Sequence, residues 1–208
     1  MKNIGLIGCG NIAETYFRAQ EYFNNINFVA CADINLDAAK KTAEQYNIIP
    51  LSVDEILTDK NVDIILNLTI PQAHYEISKR ALESNKHVYC EKPMSVKFDD
   101  AKELLNLAKK NSLYIGNAPD TFLGGGGQLT RNLIDNDDIG QILTGNFIFA
   151  FPGVQDFHPS PESWFQEGGG PVIDMGPYFF TTLVNLLGPV KNIRGRGAKF
   201  SEKREYKA

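Results

Sequence analysis

The stretch Ile4-Gly5-Leu6-Ile7-Gly8-Cys9-Gly10-Asn11-Ile12-Ala13 constrains this chain more than any other. A short apolar run ends in a glycine turn, and apolar residues at helical spacing follow at once: Ile12, Tyr16, Ala19 and Phe23. Strand, glycine turn and helix in that order form the context that the G-x-G-x-x-G/A dinucleotide pattern requires. Each position has its own physical reason. Gly8 permits the tight turn, Gly10 lets the backbone approach a pyrophosphate that the helix N-terminus stabilises, and Ala13 is small enough for close helix-strand packing. Asn11 and Ile12 complete the candidate cofactor loop.

The same alternation repeats to about residue 118. Apolar runs at 4–7, 28–32, 64–69, 88–90 and 113–115, with a weaker one near 48–51, read as strands. Between them, helical spacing recurs in Leu36, Ala39, Ala43 and Tyr46, in Ala73, Ile77 and Ala81, and in Ala101, Leu104, Leu105 and Ala108. The expectation is an α/β fold with a parallel sheet covered by helices. Composition shifts at Asn117-Ala118-Pro119-Asp120, and Gly124 to Gly127 follow, so the expected domains are 1–118 and 119–208. In the second, 141–151 and 190–200 read as strands, separated by a Pro-rich loop over 152–166 and a helix running from after Gly170 to Gly188-Pro189. Two strands do not make an independently stable sheet, so this reads as an incomplete α+β domain.

Charge and cysteine usage exclude several classes. The net charge is −4 with no Lys/Arg block, so no nucleic-acid partner is expected. Lys199, Lys203, Arg204 and Lys207 are interspersed with Glu202 and Glu205 and read as a solvated tail. Cys9, Cys31 and Cys90 form no closed disulfide set and no Cys-x-x-Cys pair, which fits a reducing, cytoplasmic setting. The N-terminal apolar run reaches glycine too soon for a signal core or a membrane span. Three histidines and three cysteines without ligand spacing give no expected metal site.

Ligands of such sheets bind beyond the carboxyl ends of the strands. Asp33 stands twenty residues after Ala13 at the end of the second apolar run, where a carboxylate accepts ribose hydroxyls and repels a 2′-phosphate, favouring NAD over NADP. The alternative role for Asp33 is to cap the next helix. After the fourth run come Asn67, Thr69, Pro71 and His74, and after the fifth Glu91, Lys92 and Pro93. Lys92 precedes a proline and is pushed into an extended conformation, which displays its side chain at the sheet's edge. His74 shares a face with Ile77 and Ala81, so a packed helix-start histidine competes with a ligand role. Farther on, Asp174, Tyr178, Thr181 and Asn185 fall on one helical face and Met175, Phe179, Leu183 and Leu186 on another; Pro177 requires a start or a kink nearby. Asp174 and Tyr178 are either a proton-handling pair or part of a solvated face. His158 and Trp164 lie in the Pro-rich loop, where pocket-lining and packing roles are both open.

The glycine loop, Glu91-Lys92-Pro93, and Gly168-Gly169-Gly170-Pro171-Val172-Ile173-Asp174-Met175-Gly176-Pro177-Tyr178, in that order, resemble the glucose-fructose oxidoreductase and inositol dehydrogenase family, also called Gfo/Idh/MocA. The resemblance implies an N-terminal Rossmann domain, a C-terminal α/β domain whose open sheet serves as an oligomer interface, and NAD or NADP oxidoreduction of sugars, inositols or related polyols. It makes Lys92 the active-site lysine and Asp174 an acid contacting substrate. Where the family commonly carries histidine this chain has Tyr178, which leaves the general base open between Tyr178 and Lys92. A phenol near a lysine ammonium can still exchange a proton with a sugar hydroxyl. The loop Phe157-His158-Pro159-Ser160-Pro161 resembles one branch of the family and adds His158 to the substrate-binding set.

Family members are longer than this chain, so the expectation is a truncated product or a sheet completed by something else. Two functions follow: an NAD(P)-dependent dehydrogenase using the residues above, or a non-catalytic dinucleotide-binding remnant with an incomplete substrate domain. A third alternative is a structural domain of the same shape that binds no dinucleotide.

Overall fold

In a computed structural model, residues 1–150, 153–155, 161–166, 169–198, 203 and 205 are described. The chain divides into two units, Met1–Ala118 and Pro119–Ala208. The first contains six strands, β1 (Lys2–Ile7), β2 (Ile26–Ala32), β3 (Ile49–Leu51), β4 (Ile64–Asn67), β5 (His87–Cys90) and β6 (Ile115–Asn117). They lie in the order β3-β2-β1-β4-β5-β6, every neighbouring pair parallel. The order reverses between β1 and β4, which opens a crevice at their carboxyl ends.

The strands read as unbroken apolar runs because both faces are covered. Successive side chains point to opposite sides of a strand. Ile7, Ala30, Ala32, Ile65 and Val88 accordingly join one cluster, together with α3 (Val53–Thr58), α4 (Pro71–Glu83) and α5 (Phe98–Lys110) through Ile56, Leu82 and Leu104. Ile4, Leu6, Cys31 and Leu66 join the other, with Ala13 and Phe17 of α1 (Ala13–Ala19) and Ala43 of α2 (Leu36–Tyr46). Phe28 belongs to the second cluster although it is three residues from Cys31, because the β1–β2 register slips between Ile4 and Gly5.

Local chemistry sets the helix starts. Asn35 caps α2, its side chain accepting from the N–H groups of Asp37 and Ala38, and Pro71 opens α4. The apolar periodicity places no helix between β3 and β4, yet α3 is there. Its signal is a capping box, in which the Glu55 N–H donates to Ser52 Oγ and the Glu55 carboxylate accepts from the Ser52 N–H.

The second unit holds α6 (Gly125–Asp135), α7 (Pro171–Asp174) and α8 (Gly176–Leu187). The expected single helix over 171–187 is broken at Met175, consistent with the limit Pro177 sets on a continuous helix. Arg131 of α6 donates to the carbonyls of Asn185 and Leu186, satisfying acceptors that the last turn of α8 leaves open. The strands expected at 141–151 and 190–200 are corrected. Their described residues, 141–150 and 190–198, are in no ladder. A strand exists only through a hydrogen-bonded partner, and among the described residues neither segment has one. Leu143, Ile148 and Ile193 are 85% or more exposed.

Candidate functional site

Five loops meet at the carboxyl edge of the sheet. Gly8 follows β1 with φ +103, and a Cβ there would stand 2.6 Å from the Leu68 carbonyl, so only glycine fits. A Cβ on Gly10 would meet nothing within 4 Å, so the loop offers an open approach to its backbone at this position. A dinucleotide pyrophosphate fits that arrangement, and Gly8, Gly10, Asn11 and Ile12 would hold it at the start of α1. Ala13 is 4% exposed and packs in the core, while Ile12 is exposed.

Asp33 immediately follows β2 and organises this loop. Its Oδ2 accepts from the Cys9 N–H at 2.7 Å and its Oδ1 from the Asn35 N–H at 2.8 Å. The α2 cap is Asn35, two residues beyond the position considered for a capping carboxylate. Beneath the loop, Cys9 Sγ donates to the Ala32 carbonyl and Cys31 Sγ to the Ala39 carbonyl. The neighbouring Cys31 thiol lowers Cys9, and the Cys9 thiol together with burial raises Cys31.

At the end of β4, Asn67 is fully buried and connects four groups. Its Nδ2 donates to the His74 carbonyl and to Ser78 Oγ, both at 3.0 Å, and its Oδ1 accepts from Thr69 N–H and from Thr69 Oγ1 at 2.7 Å. Thr69 is thereby fixed ahead of Pro71 at the crevice. His74 is 1% exposed, with Nδ1 2.6 Å from the Pro93 carbonyl oxygen and Nε2 2.9 Å from the Thr69 carbonyl oxygen. Both ring nitrogens are directed at protein main chain, which favours the packed role over direct ligand contact.

After β5, Glu91 holds two partners. Its Oε1 accepts from Tyr16 Oη at 2.7 Å and its Oε2 from the Lys92 N–H at 3.0 Å. Asn117, at the end of β6, donates to the carbonyls of Cys90 and Glu91. Lys92 leads into a cis Lys92–Pro93 peptide. Tyr16 reads in the sequence as one more apolar-spaced helical residue. Its bond to Glu91 joins positions 75 residues apart and has no local signature.

In the second unit, Trp164 Nε1 donates to Asp174 Oδ2 at 3.1 Å, so the structure brings together two of the sequence candidates. Tyr178 stands in the first turn of α8, its N–H donating to the Met175 carbonyl. The face carrying Tyr178, Thr181 and Asn185 is half-buried, and the exposed stripe of α8 is the apolar set Phe180, Val184 and Leu187. The solvated-face alternative is thus corrected. Phe179 turns inward against Phe147 and Phe149, with ring centroids 5.7 and 5.6 Å away. His158 lies outside the described residues. Among the described residues, no group of three or more His, Cys, Asp or Glu side chains is placed to hold a metal ion, and no helix is long and apolar enough to cross a membrane.

Strand order, glycine turn and the carboxylate at the end of β2 define a dinucleotide-binding Rossmann protein. The family model of the Gfo/Idh/MocA oxidoreductases with an NAD-binding Rossmann fold matches residues 2–117, and that of the Gfo/Idh/MocA C-terminal domain matches residues 128–207. The chain belongs to the Gfo/Idh/MocA oxidoreductase family. It is 26% identical over 182 residues to D-xylose dehydrogenase of Paenarthrobacter nicotinovorans, covering 81% of this chain and 47% of that one. It is 29% identical over 146 residues to inositol 2-dehydrogenase of Salmonella typhimurium, covering 67% of this chain and 43% of the relative. The crystal structure of KijD10, a 3-ketoreductase from Actinomadura kijaniata in complex with NADP and TDP-benzene, superposes with a TM-score of 0.75 at 25% identity, over 90% of this chain and 57% of that one. The chain spans less than half the length of these two curated relatives.

Proposed function

We propose that this chain acts as an NAD(P)-dependent oxidoreductase on a hydroxyl-bearing carbon of a sugar, inositol or related polyol. The observation that carries this reading is the frame around Lys92. Its N–H is held by Glu91 and the next residue's carbonyl faces His74, on the same sheet edge as the open Gly10 turn. The names of the xylose and inositol dehydrogenases and of the ketoreductase point to the same substrate class.

A bound nicotinamide supplies the two-electron chemistry, taking or giving a hydride. The protein's share is position and proton handling. Gly8, Gly10, Asn11, Ile12 and Ala13 form the pyrophosphate turn, and Asp33 presents a carboxylate toward the ribose end, which favours NAD over a 2′-phosphorylated form. Thr69, Pro71 and Glu91 complete the cofactor side, with His74 behind them. Lys92 and Asp174 are assigned to substrate hydroxyls, with His158 as a further substrate contact. Either Tyr178 or Lys92 accepts the hydroxyl proton as the carbonyl forms. Trp164 orients Asp174 by its indole N–H.

The first experiment is calorimetric titration with NADH and NADPH, followed by steady-state oxidation of a polyol panel by wild type and Lys92→Ala. Tighter NADH binding and turnover abolished in the variant support the reading. Equal turnover in both proteins removes Lys92 from the mechanism. A second reading, dinucleotide binding without turnover, is favoured by the exposure of Leu143, Ile148 and Ile193. Turnover of any panel member ends it. The same apolar segments are proposed as a surface for a second copy of the chain, read by light scattering. The three free thiols suit a reducing compartment, and we place the protein in the cytoplasm.

A further inference from the structure

We propose that His74 is a positioning residue, a bolt that couples the cofactor-side loop after β4 to the Lys92 loop after β5. The proposal rests on the dinucleotide-binding reading above and adds a role that the cofactor loop and Lys92 do not themselves carry.

The geometry is unusual for a buried histidine. Its ring is 1% exposed, and both nitrogens point at main-chain carbonyl oxygens, Pro93 on one side and Thr69 on the other. Carbonyls only accept, so the ring serves as a donor and has no nitrogen directed to a ligand. A neutral imidazole bonds one of the two at a time, and the protonated ring bonds both. Each carbonyl belongs to a functional loop. Thr69 precedes Pro71 at the crevice, and Pro93 immediately follows Lys92.

The bolt is itself anchored. Asn67 Nδ2 holds the His74 carbonyl, and Asn67 Oδ1 holds both the N–H and the hydroxyl of Thr69, so ring and loop are referenced to the end of the central strand β4. On its other flank, Lys92 has its N–H on the Glu91 carboxylate. The lysine backbone is therefore bracketed, by Glu91 before it and by His74 after it. A movement of Thr69 on dinucleotide binding reaches Pro93 through one rigid ring, and this gives the two loops a shared position.

The test compares wild type with His74→Phe, which keeps an aromatic ring and removes both ring nitrogens, and His74→Gln, which retains an amide donor. Amide exchange is followed by mass spectrometry in peptides covering 67–75 and 89–96, without and with NADH. Without nucleotide, His74→Phe should speed exchange in both peptides by at least about fivefold and leave those from β2 and α2 unchanged, with His74→Gln intermediate. With NADH, wild type should gain protection in both peptides, whereas the phenylalanine variant should gain it in 67–75 alone. In the polyol-oxidation assays the same variant should lose kcat with KM for NAD+ unchanged.

Protection of 89–96 by NADH that persists in His74→Phe overturns the proposal, as does an unchanged exchange pattern without nucleotide. Calorimetry showing no NADH binding to wild type overturns the cofactor reading instead, and the nucleotide-free arm still decides whether the bolt exists. Should neither variant fold, nitrogen-15 spectra of the wild-type imidazole decide. A slowly exchanging ring N–H supports the bolt, and one exchanging as fast as free imidazole refutes it.

Discussion

Tyr16 Oη donates a 2.7 Å hydrogen bond to Glu91 Oε1, joining the helix that begins at the glycine turn to the residue that precedes Lys92. The other oxygen of the same carboxylate holds the Lys92 N–H. One side chain thus ties the cofactor helix to the lysine backbone. Tyr16→Phe removes the donor and leaves Glu91 with one partner fewer in a half-buried setting. The expected cost is about 1 kcal/mol of unfolding free energy, read as a lower urea midpoint at constant slope. An unchanged midpoint would show that water replaces the phenol without loss.

The two glycines of the turn separate fold from function. Gly8→Ala forces a Cβ into the Leu68 carbonyl at positive φ and should destabilise the protein by about 1–3 kcal/mol. Gly10→Ala meets nothing and should melt as wild type does, yet weaken NADH binding by about tenfold or more, because its methyl stands where the pyrophosphate approaches the backbone. Paired calorimetry and thermal melts check both. Normal NADH affinity in Gly10→Ala would place the cofactor elsewhere.

Burial pushes the Cys90 thiol up to about 12 from an ordinary 9.0. Between those pH values the unfolded chain has lost a proton that the folded chain keeps, so the unfolded state binds fewer protons and stability falls as pH rises. The contribution is whole below pH 9 and declines through the alkaline window. Cys90→Ala should shrink the loss of stability between about pH 8 and 10.5 by roughly 2 kcal/mol. Urea titrations of both proteins at the two pH values measure it. Cys31, raised by the Cys9 thiol and by burial, leaves a residual slope in the variant.

In the second unit, Trp164→Phe removes the donor to Asp174 Oδ2 and keeps an aromatic ring in the loop. NADH affinity should be unchanged, and kcat/KM on the best panel substrate should fall by about tenfold, the cost of losing one hydrogen bond to a charged group. A fall in NADH affinity instead would assign Trp164 to the cofactor.

The periodicity and spacing of the first unit carried most of its architecture. Ile4 to Ile7 and Ile64 to Asn67 read as buried parallel strands because both sheet faces are apolar, and Gly8 reads as a turn because no other residue fits there. What escaped was set by pairing across the fold. Tyr16 looks like helix filler until Glu91 lies beside it, and the purpose of His74 appears only when Thr69 and Pro93 flank its ring. Helix α3 was legible through Ser52 and Glu55, but its apolar content is too short to show a period. The segments 141–150 and 190–198 have strand composition, and composition cannot supply a ladder partner. On α8, both stripes read from the sequence are half-buried, and a third set of residues is the exposed one. Phe180, Val184 and Leu187 face outward, since amphipathic spacing identifies faces without saying what lies against them.

The sheet order also governs when the lysine frame comes into being. Glu91 needs Tyr16 from the first crossover, Pro93 needs His74 from the fourth helix, and the carbonyls of Cys90 and Glu91 need Asn117 from the last strand. A chain emerging from the ribosome therefore has its glycine turn in hand a hundred residues before Lys92 is fully seated. Nascent chains shorter than 117 residues lack the last of these braces, so the edge that carries Lys92 matures as the final act of domain folding.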